Sequence, residues 1–175
     1  LENIQSNPKA ITVKWDGSPA VIFGRDERGE FILTDKSGFG AKGYDGKVKT
    51  PQALQNMLLS RGKEAPDDGR KAFAAAMGNA FKVFESATPA NFRGFMWGDL
   101  LYYTRPQVDD GDFVFKPQMV VYRVKSDSEI GKRIASSTAG VVIHMKIDLD
   151  GNKSRADANE LTEGALLVMP PVTAQ

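Results

Sequence analysis

Apolar positions along this chain fall into short runs with two different periods. Residues 10–15, 19–25 and 30–35 are rich in β-branched and aromatic side chains, with Gly17-Ser18-Pro19 and Asp26-Glu27-Arg28-Gly29 between them. Runs of that length bounded by turn residues predict three strands of an antiparallel meander. The segment from Lys36 to Lys49 breaks the pattern, carrying four glycines, four lysines and one acid, and predicts a loop. Thr50-Pro51 then predicts a helix start, with Thr50 as N-cap and Pro51 at the first helical position. Helices are predicted over 51–61 and 69–86. In the second, Phe73, Met77, Phe81 and Phe84 recur at three- and four-residue spacing, which reads as a core stripe. Strands return over 92–103, 112–124 and 139–147. Ser126-Asp127-Ser128-Glu129 reads as a capping box for a helix reaching about Ser136. Asp148–Asn152 predicts a turn, and Gly164–Met169 a last strand stopped by Pro170-Pro171. Strands interrupted by helices predict one α+β domain over residues 1–175 with a largely antiparallel sheet.

Composition narrows the chemistry. The 175 residues are 41% hydrophobic and 26% charged, with a net charge of +1, so any nucleic-acid surface must be local rather than a global basic field. The absence of cysteine removes disulfides, thiolate metal sites and cysteine nucleophiles, and fits a reducing compartment. The expected location is cytoplasmic. No apolar run approaches the length of a membrane span. The chain begins at Leu1 rather than Met, and we expect it to be a fragment of a longer one.

Polar groups interrupt the apolar runs at a few places: Lys14 and Asp16 in Lys14-Trp15-Asp16-Gly17, Lys36 after Phe31–Thr34, Asp99 between Trp97-Gly98 and Leu100–Tyr103, and Glu163 before Gly164–Val168. A lysine at a strand end beside a carboxylate and a glycine can serve as a nucleophile when its surroundings lower its pKa. A carboxylate at a buried strand boundary is costly unless it is paired or bound to a cation. Each position also reads, by itself, as a strand-end residue in solvent. His144, the single histidine, lies on an alternating strand and reads as structural. With one histidine and no cysteine, a zinc site is not expected. Asp148–Asn152 fails as an EF-hand because Lys153 stands where glycine is required.

Taken together, these segments resemble the covalent nucleotidyltransferases: ATP-dependent DNA ligases, RNA ligases and mRNA capping enzymes. Lys14-Trp15-Asp16-Gly17 is similar to motif I, and its continuation into Ser18 is closest to the RNA ligase style. Thr34–Gly38 is similar to the short lysine-containing motif on the following strand pair, and Gly98–Leu101 to motif III. Phe113–Phe115 through Val120–Tyr122 resembles the aromatic motif IIIa, and Glu163–Val168 the Glu-Gly-hydrophobic motif IV. The whole sequence also resembles an uncharacterised family of tailed phages of marine bacteria whose members share Lys-Trp-Asp-Gly, so a host-cell cytoplasm is the implied location.

The resemblance implies an α+β nucleotidyltransferase (ATP-grasp-like) domain with antiparallel sheets around a nucleotide cleft. It implies ATP and Mg²⁺ as cofactors, and nicked or broken DNA or RNA as partner. Lys14 Nζ would attack the α-phosphate and form lysyl-AMP. Asp16 would contact the ribose or orient the lysine, with Gly17 lining the site. Asp99 would take the place of the motif III acid. Phe115 or Tyr122 would stack on adenine, Lys36 would hold phosphate, and Glu163, with Asp99, would bind Mg²⁺ directly or through water. The family's later lysine motif has no counterpart after Val168. The alternative is therefore a catalytically degenerate nucleotidyltransferase-fold protein serving as a nucleotide-binding, nucleic-acid-binding or structural module.

Overall fold

Sheet pairing sets the frame of the computed structural model, which describes residues 20–39, 48–61, 64–117 and 121–171. In chain order these hold β1 (Ala20–Arg25), β2 (Phe31–Thr34), α1 (Lys36–Phe39), α2 (Pro51–Leu59), α3 (Asp68–Ala87) and β3 (Gly94–Tyr102). Next come β4 (Gln107–Asp109), β5 (Asp112–Phe115), β6 (Tyr122–Lys125) and α4 (Glu129–Ala135). The chain then continues through β7 (Ala139–Ile147), β8 (Lys153–Arg155), a 3-10 turn (Ala158–Glu160) and β9 (Leu166–Met169). The large sheet runs β2-β1-β3-β7-β8, with β9 also on β7; β4-β5-β6 form a second sheet. Pairing is antiparallel throughout except between β7 and β9. The expected α+β class with antiparallel sheets is thus borne out. The expected strand over 10–15 lies outside the described residues.

One face of the large sheet is covered by α3 and α2. Val21, Phe23, Phe31, Leu33, Met96, Leu100, Val141 and Ile143 meet Phe73, Met77, Phe81 and Phe84 of α3 and Leu54 of α2 in the main core. The predicted stripe is therefore buried as a core should be. Phe84 packs edge-on to Phe23 at 4.9 Å and Phe81 edge-on to Phe31 at 5.1 Å, the geometry the aromatic quadrupole favours. α2 starts as predicted: the Thr50 hydroxyl accepts from the Ala53 N–H at 3.0 Å, and Pro51 is the first helical residue.

Strand alternation puts Ile22, Ile32, Phe95 and Trp97 on the other face, where Phe39 of α1 joins them. Residues paired directly across a ladder share a face. Ile22, Trp97, Met145 and Arg155 therefore form one row, with Phe95, Ile147 and Lys153 in the next. The far end of this face, around Tyr102 and Leu167, is covered by Phe113 of β5 and Ile134 of α4.

Four local readings change. The stretch 112–124 is not one strand: β5 and β6 are separate, and β4 joins β5 through Asp110 (φ 52°) and Gly111 (φ 81°). Two positive φ values make this the primed turn that suits a hairpin's twist. The helix near 128 is capped by Ser128, whose hydroxyl accepts from the Gly131 N–H at 3.0 Å. Glu129 is already helical, so the expected box from Ser126 to Glu129 does not form. Lys36–Phe39, read as loop, makes the single turn α1. The strand expected to alternate over 139–147 contains a bulge. Trp97 pairs with Met145 but Gly98 pairs with Ile143, leaving His144 unopposed.

Candidate outer-face site

The bulge at His144 builds the site. An extra residue in one strand reverses the alternation beyond it. Val141 and Ile143 face the core, whereas Met145 and Ile147 come to the outer face beside Trp97 and Phe95. Lys146 goes the other way: its Nζ lies 4.7 Å from the Phe92 ring centroid and 2.9 Å from Glu160 Oε1. The close approach of β7 also accounts for Gly98, because a Cβ there would strike the Val142 carbonyl.

Asp99, expected as an acid of the site, stands on this face opposite Ala20 of β1 and Val142 of β7. Its Oδ2 lies 2.9 Å from His144 Nε2, and the two side chains are 46% and 41% exposed. The histidine read as structural is thus the partner of a candidate site acid, in open solvent rather than in the core.

Lys36 is placed by its neighbour. Asp35 is clamped by a bidentate bond from Arg61 and accepts from the Gly38 N–H at 2.9 Å. Burial pushes its carboxyl up, but these bonds outweigh burial and hold it below its ordinary value. The Asp35 clamp fixes α1, and Lys36 Nζ comes 5.7 Å from the Trp97 ring centroid, within cation–π range.

Glu163 is anchored elsewhere. Both oxygens accept from Arg133, at 2.7 and 2.6 Å, and Oε1 also accepts from the Val168 N–H at 3.1 Å. The Arg133 bonds hold its carboxyl below the ordinary value. Phe115 lies in the second sheet, stacked on Tyr122 at 5.4 Å and edge-on to Tyr102 at 5.2 Å. The two candidate adenine platforms therefore face each other. Lys14, Asp16 and Gly17 lie outside the described residues.

The structure thus brings Lys36, Trp97, Asp99 and His144 onto one face, while Glu163 and Phe115 sit in contacts of their own. Among the described residues no three His, Cys, Asp or Glu side chains group as a metal site. Magnesium needs only one or two carboxylates beside substrate phosphates and water. Asp99, half exposed, meets that need; Glu163 does so only with Arg133 displaced. Trp97 escaped the sequence reading although it precedes Asp99 by two residues, the spacing that shares a strand face. Among the described residues no helix is long and apolar enough to cross a membrane.

No curated protein and no solved structure matches the chain. A family model described as a family of unknown function (DUF6267) matches residues 1–163. That span takes in the Lys14 segment, Asp99 and Glu163, and the chain belongs to that family.

Proposed function

We propose that this chain is the adenylation domain of an ATP-dependent polynucleotide ligase, with Lys14 as its nucleophile. The observation that supports this most is a register. Ala20, six residues after Lys14, pairs with Asp99, and the strand that follows Glu163 pairs with β7, the neighbour of β3. The motif I segment thus leads directly into the strand beside the candidate motif III acid, as the resemblance implies. In the proposed step the neutral Lys14 amine attacks the α-phosphorus of ATP. A P–N bond forms as the bond to the bridging oxygen breaks, pyrophosphate leaves with that electron pair, and the amine gives up its proton to solvent. Asp99 would hold the magnesium, which when bound offsets phosphate charge. Lys36 would meet phosphate oxygens from the same face.

A second reading has its own support. The bidentate Arg133 clamp occupies Glu163, which favours a nucleotide- or nucleic-acid-binding module that has lost the chemistry. The two readings separate in one experiment. Incubation of the full chain with α-³²P-ATP and Mg²⁺ should leave a covalent label on a denaturing gel, and Lys14→Ala should reduce it to background. Absence of label with all four nucleoside triphosphates removes the enzyme and leaves the module.

A further inference from the structure

We propose that the outer face of the large sheet binds a single-stranded polynucleotide, with a base stacked on Trp97 and phosphates held by Lys36, Lys153 and Arg155. This rests on the polynucleotide partner in the reading above, but not on the Lys14 chemistry.

The face combines two properties. Its centre is apolar and partly exposed: Trp97, Met145 and Ile147 each keep some surface in solvent. Its margins are cationic. Lys36 Nζ hovers near the indole on one side, while Arg155 and Lys153 stand on β8 at the other, all three exposed. Lys153 has no ion pair among the described residues, and the Arg155 guanidinium donates to the Pro171 carbonyl at 3.3 Å. The acid sharing the face in the paired rows, Asp99, is already bonded to His144. Of the nearby acids, Asp35 is paired with Arg61, and Asp148 is tied into its own turn by two N–H groups. Three cations thus gather on one face of a chain whose net charge is only +1.

Spacing favours a strand over a lone phosphate. Trp97 and Arg155 are two strands apart, about 10 Å, and Lys153 lies about 7 Å along β8 from Arg155. Aromatic stacking also requires an unstacked base, which single strands offer and duplexes conceal. The bulge reinforces this assignment, because without it Met145 and Ile147 would not extend the platform toward β8.

The test is fluorescence anisotropy of the full chain with a labelled 12-nucleotide single strand, the matching 12-base-pair duplex, and a glutamate peptide of equal charge. The single strand should bind at least tenfold more tightly than either competitor. Trp97→Ala should weaken single-strand binding by about 5- to 150-fold, the range for losing one stacked base, while Trp97→Phe should keep most of it. Lys153→Glu with Arg155→Glu lies on the surface and spares the packing around Trp97. It should weaken binding and flatten the salt slope by about 1.4. Equal binding of duplex or peptide, no binding of the single strand, or full binding by the double glutamate variant would overturn the proposal. Lys14→Ala should bind the strand as wild type does. Absence of label on the wild-type chain with strand binding intact therefore sinks the adenylation reading alone, and labelling without strand binding sinks this surface alone.

Discussion

Glu163 shows how much one carboxylate's surroundings decide. Arg133 engages both its oxygens and a β9 amide adds a third bond, so the ionised form is favoured in the fold. A carboxyl held below its ordinary value of 4.5 stabilises fully above that pH, and the contribution fades as pH falls through the lowered value. Glu163→Gln should therefore cost about 1 kcal/mol near pH 7, at the upper end for partly exposed pairs. The gap to wild type in urea denaturation should narrow as pH falls below 4.5. A gap that persists at acid pH would assign the loss to packing instead. The sequence marked Glu163 and Asp99 as polar breaks in apolar runs. Their partners were not legible, because Arg133 is 30 residues from Glu163 and His144 is 45 from Asp99. Only the strand order brings them together.

At the scale of elements, local signals read true where their cause is local. The Thr50 cap needs three residues of context, and Thr50→Ala should cost about 1 kcal/mol, measured as a lower midpoint of thermal unfolding. The aromatic stripe of α3 and the limits of β7 were legible for the same reason. The β4–β5 hairpin was also announced, by Asp110-Gly111, a strong short-range hairpin signal. Other elements had no such announcement. β8 is three exposed residues, Lys153–Arg155, with no apolar alternation to find. The parallel pairing of β9 with β7 is a long-range choice. Ser126 lost the α4 cap to Ser128 because helix starts are the least certain part of any periodic pattern.

For the whole molecule, the helices and the large sheet depend on one shared interior. Phe84, fully buried, touches both through its contact with Phe23. Phe84→Ala should cost about 3–5 kcal/mol, a large share of the roughly 5–15 kcal/mol available to a domain. Circular dichroism and tryptophan fluorescence should still report a single coincident transition, displaced to lower denaturant. Against that shared interior, the one-residue insertion in β7 acts as a phase shifter. The spacing of Val141, Ile143, Met145 and Ile147 suggests a continuous inward row, yet half of that row is diverted to the opposite side. Unbroken alternation through His144, with the same residues, would draw Met145 inward, push Lys146 outward and dissolve the aromatic–cationic margin without changing any residue that composes it. Register at a single position, rather than composition, is what governs whether this sheet has one working side or two.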